Sequence, residues 1–185
     1  VTEHRTIESY SFNLSQSRVF TEILGLVSST ANIPKIVFVD GPGGTGKTYL
    51  FNSLLNHVRS DYVNGGICLA VASSGTAALL LSGGTTAHSR LKIPIDIHSG
   101  SICKIEPSTD LGELIRKAKL IVWDEASMIS RYALEAVDRA FRDVCKKENT
   151  ALENVPFGGK VIVFGGDFRQ VLPVVQKGSR NNIVD

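Results

Sequence analysis

The stretch GPGGTGKT at residues 41–48 limits what this chain can fold into more than any other. It satisfies G-x-x-x-x-G-K-[ST] at every position. Ahead of it runs KIVFVD (35–40), a short apolar strand ending at glycine. Behind it, TYLFNSLLNHV (48–58) carries a Leu/Phe face at helical spacing. Gly41, Gly43, Gly44 and Gly46, with Thr45 between them, let backbone N–H groups curl round a phosphate without Cβ clashes. The start of the following helix adds its positive end. Lys47 is placed to reach β- and γ-phosphates, and the Thr48 hydroxyl to ligate Mg²⁺. The competing reading is a glycine-rich turn with a purely structural purpose.

A phosphate loop of this kind needs a parallel sheet behind it, and the hydrophobic pattern supplies one. Continuous apolar runs at 35–40, 66–72, 119–124 and 160–164 predict four strands. Helical patterns lie between them: 75–81, 110–118 and the amphipathic YALEAVDRAFRDVCKK. Another helix precedes the first strand, where Val19, Phe20, Ile23, Leu24 and Val27 follow a cap at Asn13 or Ser15. Strands alternating with helices predict an α/β fold, a mainly parallel sheet with helices on both faces. Right-handed crossovers then bring the tips Gly41, Asp124 and Gly165 to one edge. ENTALENVPFGG (148–159) reads as a polar surface excursion, and residues 83–109 as the least regular part.

With 185 residues, 43% of them hydrophobic, the chain can build one domain with a proper core. No apolar run approaches the ~18 residues of a membrane span. The polar start VTEHRTIESYSF is not a signal peptide and lacks an initiator Met, so a piece of a longer protein is expected. Cys68, Cys103 and Cys145 are scattered and odd in number, which suits a reducing compartment and argues against zinc. A net charge of +2 neither requires nor excludes a nucleic acid.

Two further segments carry chemistry. In IVWDEAS (121–127), Asp124 ends a strand where a carboxylate can hold the Mg²⁺ shell, and Glu125 follows, placed to polarise a water. Asp124 or Ser127 capping the next helix is the alternative. In VFGGDFRQVLPVV (163–175), three polar residues sit at the tip of an apparently buried strand. Gln170 there can approach the γ-phosphate and hold the attacking water, whereas a plain solvated turn would need no such role. Asp167 and Arg169 can pair with each other or with the neighbourhood of Lys47 and Asp124.

Read together, GPGGTGKT, SSGTAALLLSGGTTAHS, WDEAS and GGDFRQVLPV resemble the Pif family of superfamily-one DNA helicases, Helitron-type helicases included. The similarity runs from about Phe12 to Val175. It implies a RecA-like P-loop NTPase lobe, spanning residues 1–185, of an ATP-dependent DNA helicase working in the 5′-to-3′ direction. By this resemblance Gln16 contacts adenine, and Ser74, Gly75, Thr76 and His88 lie on the path of single-stranded DNA. Alternatively Gln16 is a solvated helix residue, Ser74 or Thr76 a helix cap and His88 structural. ATP, Mg²⁺ and single-stranded DNA are the implied ligands, with no membrane. A second RecA-like lobe, bearing an arginine, is expected after this one. The family's settings are DNA repair, recombination and telomere maintenance, in the nucleus or mitochondrion. Two rival classes stand beside this: a clamp-loader-like ATPase, and a non-catalytic nucleotide-binding scaffold.

Overall fold

The computed structural model describes residues 10–61 and 66–170. Strands and helices alternate in the order α1 (Leu14–Ser28), β1 (Lys35–Asp40), α2 (Lys47–Arg59), β2 (Cys68–Ala72), α3 (Gly75–Leu80), β3 (Thr85–Thr86), α4 (Ala87–Arg90), α5 (Asp110–Lys117), β4 (Leu120–Asp124), α6 (Arg131–Cys145) and β5 (Val161–Gly166). The sheet order is β1-β5-β4-β2-β3, and every neighbouring pair is parallel. The fold is therefore α/β, with helices on both faces of a parallel sheet. No helix among the described residues is long and apolar enough to cross a membrane.

The continuous apolar runs follow from burial on both faces. Alternate residues of the central strands enter two separate cores. Cys68, Ala70, Leu120, Val122, Val161 and Val163 meet Phe20 and Ile23 of α1 and the Leu/Phe face of α2. Leu69, Val71, Ile121, Trp123, Ile162 and Phe164 meet α5, α6 and the chain between α4 and α5. β2, β4 and β5 are buried along their whole length, whereas β1 alternates buried or half-buried with exposed positions. That difference marks β1 as an edge strand, β3 being the opposite edge.

Two local departures from the sequence pattern have clear causes. A fifth strand, β3, joins the four expected ones through a two-residue pairing with Val71 and Ala72. Two residues carry no readable period. The segment 148–159 is also more than a surface excursion. It forms two 3₁₀ turns, and its Phe157 is buried against Phe141 and Phe164. The Phe157 N–H donates to Asp138 Oδ1 of α6 at 2.6 Å, so this loop closes one core. The three cysteines are buried and unpaired, and burial pushes the Cys68 and Cys103 thiols up to about 11, leaving them inert.

Candidate functional site

Residues 41–46 connect β1 to α2 over the C-terminal edge of the sheet. The turn requires left-handed backbone at Gly44 (φ 80°) and Gly46 (φ 83°), conformations that a Cβ would strain. The ends of the other helices show what is unusual about α2. Asn13, Ser74, Thr86, Thr109 and Ser130 each cap a helix with a side-chain oxygen. Among the described α-helices, only α2 lacks a side-chain cap; its N-cap is Gly46. Its first-turn N–H groups are thus presented toward the loop with the positive helix end behind them. Lys47 Nζ reaches back across that concavity, donating to the carbonyls of Gly41 and, at 3.1 Å, Pro42. Thr48 follows in the first turn of α2.

β4 delivers Asp124 beside this loop. The carboxylate is buried, and its Oδ1 accepts the Glu125 N–H at 2.9 Å. Burial pushes its pKa above the ordinary carboxylate value, partly offset by that N–H and by the nearby Lys47 ammonium. Glu125 takes a left-handed conformation (φ 53°), turning the chain sharply from β4 into the 3₁₀ turn Ala126–Met128. Asp124 and Ser127 therefore cap no α-helix; the cap of α6 is Ser130. Ser127 Oγ is buried without a hydrogen-bond partner among the described residues. The glycines of β5 make room here: an added Cβ on Gly165 would lie 3.0 Å from Asp124 Oδ1, and one on Gly166 2.9 Å from Ser127 Oγ.

The tip of β5 lies between the tips of β1 and β4. Gly41 N–H donates to the Gly166 carbonyl at 3.3 Å, tying the phosphate loop to this strand. Asp167 is buried and organises the turn that follows. Its Oδ1 accepts from Arg169 N at 3.0 Å and Arg169 Nε at 2.9 Å, and its carbonyl from Gln170 N at 3.1 Å. The Arg169 guanidinium holds the Asp167 carboxyl below its ordinary range. Arg169 Nη2 also lies 3.5 Å from Asp40 Oδ2. So Arg169 pairs with Asp167 and Asp40. Gln170 comes over the phosphate loop: its Nε2 would be 3.5 Å from a Cβ on Gly43. The apolar residues after it, 171–175, lie outside the described residues.

The opposite wall is α1. Asn13, Ser15, Gln16 and Val19 line a cleft of about 340 Å³ with Asp40, Pro42, Thr45 and Lys47. Asn13 and Gln16 form a reciprocal capping box, Gln16 Oε1 accepting from Asn13 N at 3.1 Å. Gln16 Nε2 donates to the Thr45 carbonyl at 3.1 Å, so the side chain bridges α1 and the phosphate loop rather than extending into solvent. The site offers oxygen donors for a cation, from Thr48 and Asp124. Among the described residues, no group of three or more His, Cys, Asp or Glu could hold a metal by itself. That donor set fits Mg²⁺, which keeps waters and shares its shell with phosphates.

Residues 73–90 occupy the other half of the same sheet edge. Ser73 N–H donates to the Asp124 carbonyl at 3.1 Å, and Trp123 Nε1 donates to Ser73 Oγ at 3.1 Å. These bonds couple β4 to the segment entering α3. The Ser74 hydroxyl caps α3 by accepting from Ala77 N at 3.2 Å. Gly75, Thr76 and His88 are exposed. Ser74, Gly75 and Thr76 open α3 after β2, and His88 lies in α4 after β3; none of the four lines the cleft beside the phosphate loop.

Comparisons with known proteins bear on the family and the fold. A family model described as PIF1-like helicase matches residues 11–185. The chain is similar to the ATP-dependent DNA helicase RRM3 of Saccharomyces cerevisiae, 32% identical over 147 residues, covering 78% of this chain and 19% of that protein. It is also similar to the ATP-dependent DNA helicase PIF1 of Xenopus laevis, 33% identical over 171 residues, covering 89% and 24%. Among solved structures, the Pif1 helicase from Candida albicans superposes with a TM-score of 0.68 at 28% identity, covering 90% of this chain and 34% of that one. The Bacteroides Pif1 helicase in complex with ADP-AlF3 and ssDNA gives a TM-score of 0.63 at 30% identity, covering 89% and 35%. The chain spans about a fifth of the length of the first curated relatives it matches.

Proposed function

This chain belongs to the PIF1-like helicase family, and from that premise we propose that it is the ATP-binding first RecA-like lobe of an ATP-dependent DNA helicase. The observation that carries the proposal is the phosphate loop opening onto α2, the one uncapped α-helix among the described residues, with Lys47 across it. The backbone N–H groups of Gly43, Gly44, Thr45 and Gly46 cradle the phosphates, and Lys47 turns from the loop carbonyls to the β- and γ-oxygens. Thr48 and Asp124 would hold Mg²⁺ from the protein side, and the ion would offset phosphate charge there. Glu125 takes the proton of the attacking water, and Gln170 aligns that water with the γ-phosphate.

The Gln16 amide supports a base-reading role through its hydrogen-bond inventory. An amide has two N–H donors and two oxygen lone pairs. One donor is used on Thr45 O and one lone pair on Asn13 N–H. One donor and one acceptor remain. Adenine presents the complementary pair, the N7 acceptor and the N6 donor; guanine presents two acceptors there. The same two internal bonds keep the amide from flipping, so the preference for adenine is fixed before nucleotide arrives.

In this reading Ser74, Gly75, Thr76 and His88 contact single-stranded DNA. The Ser73 bonds to Trp123 and Asp124 link that surface to the hydrolytic strand. A second RecA-like lobe closes the cleft, supplies an arginine to the γ-phosphate, and converts closure into 5′-to-3′ stepping on DNA. Such work places the protein in a DNA-bearing compartment, the nucleus or mitochondrion. The test is ATP hydrolysis by the full-length protein with and without single-stranded DNA, paired with strand separation. Hydrolysis stimulated by DNA and coupled to unwinding supports the helicase. Hydrolysis indifferent to DNA points to an ATPase of another class, and nucleotide binding without hydrolysis to a scaffold.

A further inference from the structure

Asp40 and Arg169 have no part in the chemistry so far, yet they connect the two segments that must act together. Asp40 ends β1 and immediately precedes the phosphate loop; Arg169 immediately precedes Gln170. In the sheet register Asp40 sits opposite Gly166. From there the β5 tip is bound back to β1 at two side-chain contacts. Phe168 stacks on Phe38, ring centroids 4.8 Å apart and 22° from parallel. The Arg169 fork takes one carboxylate with each arm, Asp167 through Nε at 2.9 Å and Asp40 through Nη2 at 3.5 Å.

We propose that Arg169 is a positioning residue: held between Asp167 and Asp40, it sets the distance of Gln170 from the phosphate loop. The proposal rests on the reading of this cleft as an ATP site with Gln170 at the γ-phosphate. Asp167 alone would shape the turn, leaving the Phe168–Phe38 stack as the one left of the two side-chain ties to β1. The Asp40 arm references the turn to β1, the strand that carries the loop. Two carboxylates offset the guanidinium charge, so Arg169 is not a free cation for phosphate, and its influence passes through Gln170. A planar fork is needed to span both carboxylates; an ammonium is a point charge. Both side chains of the Asp40 pair are more than half exposed, so the bridge adds little to folding. Its effect is on geometry, where small misplacements of a reacting group are costly.

The experiment measures kcat, KM for ATP and melting temperature in the full-length protein with single-stranded DNA. Arg169→Gln and Asp40→Asn are each expected to lower kcat about tenfold, with KM within about twofold. The melting temperature should stay within about 2 °C of the parent value, as befits an exposed pair. Arg169→Lys should not restore kcat. In a Gln170→Ala background, Arg169→Gln should cost nothing more, because it acts through the residue already removed. A further tenfold-scale fall in that background would mean Arg169 acts on the nucleotide itself, overturning the proposal. So would an undiminished kcat in both Asp40→Asn and Arg169→Gln. If Gln170→Ala turns over like the parent, the Gln170 role and the bridge fall together. Loss of turnover in Lys47→Ala would still uphold the ATP site in that event.

Discussion

Gly165→Ala tests how closely the strand tips and α2 are fitted. A Cβ at this position would lie 2.4 Å from two ring carbons of Phe51 and 3.0 Å from Asp124 Oδ1. Carbon pairs are comfortable at about 3.5–4.0 Å, so the methyl is too close by roughly 1.1 to 1.6 Å (3.5 − 2.4 and 4.0 − 2.4). Phe51 is fully buried in the core between α1, α2 and the sheet. Overpacking of this kind costs about 1–3 kcal/mol. Alanine recovers about 0.4–1 kcal/mol by restricting the unfolded chain. The net loss spans about 0 to 2.6 kcal/mol (1 − 1 and 3 − 0.4) and centres on ~1.3 kcal/mol, which lowers the melting temperature by about 3–5 °C in a chain of this size. Relief of the clash displaces Phe51, hence α2, whose first turn carries Lys47 and Thr48. Nucleotide affinity should fall as well. Gly25→Ala is the control: it lies within α1, with nothing inside 4 Å of the new methyl. It should raise stability by about 0.5–1 kcal/mol and leave nucleotide affinity alone. Thermal and urea melts of both variants, with fluorescent-nucleotide titrations, decide the matter. A Gly165→Ala protein melting at or above the parent temperature would refute the packing argument.

Other perturbations separate the roles within the site. Lys47→Ala should weaken nucleotide binding by about 1.5–3 kcal/mol, the worth of a charged hydrogen bond, read by titration calorimetry. Glu125→Gln should keep Mg²⁺-nucleotide affinity and stop turnover; a parallel fall in both would make Glu125 a metal ligand or a structural residue. Asp124→Asn should raise the melting temperature of the nucleotide-free chain while abolishing Mg²⁺-dependent hydrolysis. Burial holds the Asp124 carboxyl above its ordinary range, so the folded chain keeps that proton to higher pH than the unfolded one. Its contribution to stability therefore declines as pH rises from the ordinary value through the raised one, and the melting-temperature advantage of Asn should shrink in acid. Thr76→Ala and His88→Ala should weaken single-stranded DNA binding and flatten its salt dependence, measured by anisotropy. Ser74→Ala adds the loss of a helix cap, worth ~1 kcal/mol, and should also lower the melting temperature.

The phosphate loop and the four longer strands are legible in the sequence because their determinants are local. Glycines at fixed offsets, a lysine and a hydroxyl residue lie within eight positions, and both flanking elements announce themselves by period. Asp124 is equally plain, since a carboxylate ending a run of buried residues stands out. Gln16 depends on a resemblance, because an amide at the third position of a helix reads locally as a capping-box residue and carries no sign of nucleotide contact. Its bridge to Thr45 appears only when α1 packs beside the loop. The turn at 167–170 is legible in kind but not in its pairing. Which carboxylates Arg169 takes depends on strand order, and strand order is decided by packing between distant elements.

That dependence answers why three polar residues stand at the tip of so buried a strand. β5 is not an edge strand: it lies between β1 and β4 and is buried over its full length. A buried central strand can leave the sheet only where its neighbours supply room and hydrogen bonds. Gly165 and Gly166 provide the room, letting Phe51, Asp124 and Ser127 close in. Asp167 then satisfies the turn by accepting from Arg169 and Gln170. The central place that requires this local polar solution also puts the β5 tip within reach of both the phosphate loop on β1 and the carboxylate on β4. A turn on the edge strand β3 would adjoin neither of them, because β3 pairs with β2. On the proposed function, Gln170 registers the state of the phosphate end from this place, and the proposed role of the Asp40–Arg169 bridge is to keep it in register with the loop it reads.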